Sequence, residues 1–224
     1  MDYRGIFFDF DYTLGDSTPA IAEGYRLGFA ALGLEPPGVD QVRTTVGHTL
    51  ADGYAMLTGD HDLSRQEVFC RTFQETVGVK AGGEGRRLMI EGTVLLPGAA
   101  ELLGALKHAG VRTAVVSTKP GDTIRRIFDY QGRLDLVDLV VGGDEVQHTK
   151  PNPEGLRLAL EQLSLPAEEV LFCGDTVIDA GTARNAGVDF SAVLNGTTPR
   201  ADFEEFPYVH IAPDLVELKS WLGV

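Results

Sequence analysis

Two carboxylates, Asp9 and Asp11, stand two residues apart in the run Ile6-Phe7-Phe8-Asp9-Phe10-Asp11-Tyr12-Thr13-Leu14. In an extended chain that spacing puts both side chains on one face. Anions so close repel, and one is held protonated unless a cation or a proton transfer makes use of the pair. A second acidic pair, Asp175 and Asp179, follows Gly174, and its four-residue spacing places both near the start of one helix. Ser117, in Ser117-Thr118-Lys119, offers a hydroxyl, and Lys150, in Lys150-Pro151-Asn152-Pro153, an ammonium. Those groups suit phosphate oxygens. Acidic oxygens suit a hard cation such as Mg²⁺, which takes carboxylates, waters and a substrate phosphate. Taken singly, each feature has a plain reading as an acidic turn, a strand-end serine, a loop lysine, or an N-cap with a first-turn acid. Their joint occurrence points to phosphate chemistry.

Such groups need a scaffold that brings distant segments to one edge. The apolar run Ile6–Phe8 reads as a buried strand of a parallel sheet. Residues from about 15 to 92 then read as helical, with no strand. Thr18-Pro19 starts a helix carrying Ile21, Tyr25, Phe29 and Leu32, and Pro36-Pro37 forbids its continuation. A helical turn is expected over 40–45 and a helix over 49–57. Ser64 with Glu67 forms a capping-box pattern, and Leu63 with Val68 a hydrophobic staple, which predicts a helix over 65–77. A short helix through Leu88 follows.

From Leu96 the rhythm changes. Strands are expected at 113–117, 139–141, 170–173, 191–194 and 208–211. Helices are expected at 99–109, 120–130, 154–163, 179–186 and 215–222. This alternation means βαβ units, and so an α/β fold with a doubly wound, mainly parallel sheet. The catalytic core would take residues 1–14 and 93–224, and a small all-helical domain, 15–92, would be inserted after the first strand. Sheets of this kind bind ligands at the carboxyl ends of their strands, where Asp9, Asp11, Ser117 and Asp175 all fall.

Composition narrows the partners. A chain of 224 residues, 43% of them hydrophobic, is ample for a buried core. A formal net charge of −14 argues against nucleic acid and anionic membranes. It also requires that an anionic substrate be met by local positive charge or a metal. The two cysteines, Cys70 and Cys173, form no metal pattern and no disulfide framework, which fits a reducing compartment. With no leader segment and no apolar run of membrane length, the expectation is a soluble cytoplasmic protein.

The four segments Asp9-Phe10-Asp11-Tyr12-Thr13, Ser117, Lys150-Pro151 and Gly174-Asp175-Thr176-Val177-Ile178-Asp179 together resemble the haloacid dehalogenase superfamily of phosphohydrolases. Leu96-Pro97-Gly98 and Val193-Leu194-Asn195-Gly196 resemble its phosphoglycolate phosphatase-like branch with a helical cap. The resemblance implies Asp9 as nucleophile and Asp11 as general acid and then base. It implies Mg²⁺ held by the Asp9 carboxylate, the Asp11 backbone carbonyl and Asp175, with Asp179 and Thr13 supporting them from behind. Ser117, Thr118 and Lys150 would hold the phosphoryl oxygens. In the helical insertion, His48 is expected to read the leaving group and Arg43, about a turn earlier, is a second candidate. The expected partner is a small phosphorylated metabolite, met by a monomer or homodimer. Two residues depart from the pattern: Tyr12 stands where Gly is frequent, and Thr118 where Asn is common. A β-phosphoglucomutase-type mutase, a pyrophosphatase and a non-catalytic phosphate-binding module remain alternatives.

Overall fold

The computed structural model describes residues 3–78 and 80–224. Met1, Asp2 and Val79, which fall within the expected domains 1–14 and 15–92, lie outside the described residues. In chain order the elements begin with β1 (Gly5–Phe8), β2 (Gly15–Asp16), α1 (Thr18–Ala31), α2 (Val39–Arg43), α3 (Leu50–Thr58), α4 (Leu63–Thr76), α5 (Gly83–Glu91) and β3 (Val94–Leu95). They continue with α6 (Ala99–His108), β4 (Arg112–Val116), α7 (Gly121–Tyr130), β5 (Leu139–Val141), α8 (Glu154–Leu163), β6 (Val170–Gly174), α9 (Val177–Ala186), β7 (Asp189–Val193), β8 (His210–Ala212) and α10 (Leu215–Leu222). Two compact units result. One takes residues up to Gly15 together with Leu95–Val224, and the other is Asp16–Val94.

The first unit is built on a six-stranded sheet in the order β5-β4-β1-β6-β7-β8, with every neighbouring pair parallel. Counted by their appearance in this sheet, the strands run 3-2-1-4-5-6. The strand order reverses between β1 and β6, the position at which doubly wound sheets open a crevice for ligands. Strand β1 is apolar throughout because both of its faces are covered. Ile6 and Phe8 join Leu102, Leu106, Ile124 and Phe128 of α6 and α7 on one side. Phe7, pointing the other way, joins Leu156, Ala159, Ala180 and Ala183 of α8 and α9. At the β8 edge the Trp221 ring of α10 stacks on His210, with centroids 4.4 Å apart and planes 1° from parallel. His210 Nε2 lies 2.8 Å from Glu217 Oε2.

The second unit is a helical body around Tyr25, Phe29, Tyr54, Phe69 and Phe73. Helices α1 and α4 approach closely because α1 carries Gly24 and Gly28 where Phe73 and Phe69 press against it; a Cβ at either glycine would collide with those rings. The start of α4 differs from the capping box expected at Ser64. Asp62 caps the helix, its carboxylate accepting from the Ser64 and Arg65 N–H groups. Asp62 is a stronger acceptor than the Ser64 hydroxyl and lies two residues earlier, so the helix begins at Leu63. Leu63 is 79% exposed and makes no staple. A small pairing missed by periodicity also occurs, since β2 and β3 form a two-stranded sheet. Two residues are too few to show an alternating pattern.

Candidate active site

Asp9 extends the pairing of β1 by one step, its N–H donating to the Cys173 carbonyl at 2.9 Å. The chain then leaves the strand. The Phe10 carbonyl accepts from the N–H groups of Thr13, Leu14 and Gly15 in one tight turn. The extended geometry inferred for Asp9 and Asp11 therefore does not hold, because β1 stops at Phe8. The turn requires Tyr12 to adopt φ of 57°, a left-handed backbone that costs a side-chain-bearing residue roughly 1–2 kcal/mol. That requirement explains why glycine is frequent at this position. The two acids consequently meet different lysines.

Lys150 Nζ stands 2.8 Å from Asp9 Oδ1 and 2.6 Å from Asp179 Oδ1. Its side chain is buried, and its bond to Pro151 is cis. Lys119 Nζ meets Asp11 instead, 3.2 Å from Oδ1 and 3.1 Å from Oδ2. Its place at the carboxyl end of β4 brings Lys119 to this edge, but no local feature of the sequence pairs it with Asp11. Ser117 is buried, with its N–H on the Val141 carbonyl at 3.1 Å, and the half-buried Thr118 follows it.

Beyond β6, Asp175 and Asp179 flank the start of α9 as their spacing predicts. Thr176 is the N-cap and forms a capping box with Asp179. Asp179 Oδ2 accepts from the Thr176 N–H at 3.1 Å and from its hydroxyl at 2.6 Å, while Oδ1 takes Lys150. Thr13 donates its hydroxyl to Asp175 Oδ1 at 3.1 Å. Gly196 lies so close to Asp175 that a Cβ there would fall on the carboxylate. His48 and Arg43 belong to the other unit. His48 is exposed in the turn between α2 and α3, and Arg43 is the last residue of α2.

Electrostatics at this edge are unbalanced. Burial, followed by the charges of Asp179 and Asp9, holds the Asp175 carboxyl well above the usual carboxylate range. Burial also raises Asp179, against the pull of Lys150. Lys150 is raised too: burial alone would lower it, but the charges of Asp179 and Asp9 outweigh that effect. Ligand oxygens of Asp9, Asp175 and Asp179, all buried, lie within 4.8 Å of one another. Lys150 Nζ is the ion-pair partner of Asp9 Oδ1, and that buried oxygen has no further hydrogen bond. Three buried carboxylates gathered this closely are a donor set that fits a hard divalent cation.

The family model described as haloacid dehalogenase-like hydrolase matches residues 6–193, which spans this whole constellation. The chain belongs to the haloacid dehalogenase-like hydrolases, among the phosphatases of that family. A phosphoglycolate phosphatase from Salmonella typhimurium is 31% identical to this hydrolase over 208 residues, covering 84% of this chain and 79% of the relative. One from Rhodospirillum rubrum is 29% identical over 220 residues, covering 98% and 91%. Among solved structures, a haloacid dehalogenase-like hydrolase from Bacteroides fragilis superposes with a TM-score of 0.88 at 36% identity, covering 96% of this chain and 99% of that one. The crystal structure of a predicted phosphatase from Clostridium acetobutylicum shares the fold of this hydrolase, with a TM-score of 0.85 at 20% identity. No helix among the described residues is long and apolar enough to cross a membrane.

Proposed function

We infer that this enzyme hydrolyses small phosphate monoesters of the phosphoglycolate kind through an aspartyl-phosphate on Asp9. The observation that carries this reading is the buried Asp9 carboxylate, paired with Lys150 and gathered with Asp175 and Asp179 within 4.8 Å at the carboxyl edge of the sheet. A buried carboxylate beside a cation and among further carboxylates is placed to attack a phosphoryl group whose charge that cation offsets. The Asp9 carboxylate, the Asp11 backbone carbonyl and Asp175 would hold Mg²⁺, which would supply the positive charge that lets two anions meet. Asp179 fits the supporting role better than that of a ligand, since both its oxygens are engaged by Lys150 and Thr176.

The other Asp9 oxygen attacks phosphorus as the P–O bond to the alcohol breaks. Asp11 gives its proton to the departing oxygen. Asp11 then takes a proton from water, which attacks the same phosphorus, releases inorganic phosphate and restores Asp9. Lys150, Ser117 and Thr118 hold the phosphoryl oxygens, and Thr13 fixes Asp175. The helical unit is the cap in this reading, with His48 and Arg43 as candidates for reading the alcohol.

The test is phosphate release from a panel of phosphorylated metabolites that includes 2-phosphoglycolate, with Mg²⁺ and again after metal removal by EDTA. Release of phosphate from 2-phosphoglycolate that stops with metal removal is expected. Full activity in EDTA, or sugar-phosphate interconversion without net release, would overturn the reading. His48→Ala should alter kcat/KM unequally across that panel, by about 10- to 100-fold for the best substrate.

A further inference from the structure

Lys119 is the second buried lysine of this sheet edge, and the mechanism above gives it nothing to do. Its side chain is 7% exposed, its ammonium spans both oxygens of Asp11, and it lies 5.8 Å from the centroid of the Phe10 ring. The backbone is shaped to hold it there. The Lys119 N–H reaches Ser117 Oγ at 3.3 Å, and its carbonyl accepts from the Gly143 N–H at 3.2 Å. A Cβ at Gly143 would strike the Thr118 carbonyl, and one at Gly142 the backbone of Gly121. Pro120 restricts the residue further.

Position decides what this ammonium meets. Asp11 serves the leaving alcohol, so a cation on both Asp11 oxygens borders the alcohol side of the scissile bond. Lys150 pairs with Asp9 and Asp179 and not with Asp11. The Lys119 contacts, at 3.1 and 3.2 Å, are long for a charge-assisted bond, whose usual range is about 2.7–2.9 Å. Lys150, in this same site, shows one ammonium serving two carboxylates. In 2-phosphoglycolate the carboxylate is attached to the carbon that bears the leaving oxygen, which brings it to the neighbourhood of Asp11. On a chain of net charge −14, a doubly anionic substrate needs such a cation.

We propose that Lys119 is a specificity-determining residue, binding a carboxylate on the leaving group so that the enzyme favours phosphate esters of hydroxy acids over those of neutral alcohols. The assignment rests on the phosphatase reading above and deepens it. The experiment compares kcat/KM for 2-phosphoglycolate and for 2-hydroxyethyl phosphate, its uncharged counterpart, in the wild type, Lys119→Met and Lys119→Arg. Wild type should favour the carboxylate substrate by about tenfold or more, and Lys119→Met should lower that ratio by about 30-fold or more, as for loss of a buried charge partner. Lys119→Arg should restore part of it. A residue that only steadies Asp11 would slow both substrates together and leave the ratio in place, which would overturn the assignment. A measurement on the wild type alone guards against a variant that fails to fold. The non-hydrolysable 3-phosphonopropionate should inhibit at least about tenfold more strongly than propylphosphonate, and equal inhibition would also overturn it. Release of phosphate from neither substrate would instead sink the phosphoglycolate-type reading, and the assignment with it.

Discussion

The Lys150 ammonium and the Asp179 carboxylate lie 2.6 Å apart, both buried, and hold two segments of the chain together at the end of the sheet. Lys150→Met removes the cation and strands Asp179 and Asp9 as buried anions. A loss of about 3–5 kcal/mol of stability is expected, together with loss of phosphatase activity. Urea denaturation measures the first; a midpoint equal to that of the wild type would show that the two carboxylates need no partner.

The raised carboxyls set a pH dependence. A carboxyl that holds its proton more tightly when folded stabilises the fold in acid. That contribution is lost as pH rises from the ordinary value of 3.8 through the higher folded value. Lys150, shifted upward, keeps its charge through that window. Metal-free protein should therefore lose stability as Asp175 and Asp179 ionise. Mg²⁺ competes with protons for this site, so its stabilisation should be larger at about pH 8 than at about pH 5, approaching ~2.7 kcal/mol at about 100 times Kd. Thermal melts at the two pH values check this, and an equal Mg²⁺ shift at both would count against the site.

Asp9 and Asp11 should separate by leaving group. Asp9→Asn should lower kcat by at least about 10³-fold for every substrate. Asp11→Asn should slow alkyl phosphates by about 10²- to 10⁴-fold. With p-nitrophenyl phosphate, whose leaving group needs no proton, Asp11→Asn should show a burst of nitrophenol followed by slow turnover. Stopped-flow absorbance at enzyme concentrations near the substrate's would reveal the burst, and its absence would remove Asp11 from the second half-reaction.

Gly196→Ala tests the support beneath Asp175. The added methyl lands on that carboxylate and should push it off the position Thr13 fixes. Mg²⁺ affinity should fall by about 10- to 100-fold, as for other disturbances of a ligand's supporting contacts. Calorimetric titration of Mg²⁺ measures it, with the far-ultraviolet spectrum confirming the fold.

Much of this architecture was legible in the residues. Fully apolar strands such as Ile6–Phe8, glycine stops and alternating helices announce a doubly wound sheet, because covering both faces leaves no other pattern. Asp175 and Asp179 were legible for a similar reason: a four-residue spacing at a helix start has one geometry. What escaped depended on tertiary contact. Nothing local in Lys119 reveals that it faces Asp11, more than a hundred residues earlier. The spacing of Asp9 and Asp11 misled, since it implies a common face only while the chain stays extended, and the turn at Phe10 ends that at once. The cap at Asp62 was missed because a carboxylate two residues ahead of Ser64 outcompeted a hydroxyl that matched the pattern.

The ring stacked on His210 has a practical value. Trp221 is the single tryptophan of the chain, and it lies on the unit that holds the parallel sheet. Its emission, altered by the imidazole beside it, is an optical gauge of that unit alone. The helical unit, bearing tyrosines but no tryptophan, is silent at the same wavelength and yet contributes strongly to far-ultraviolet ellipticity. Denaturation curves recorded by the two methods would coincide if the units melt as one and part company if they melt in turn.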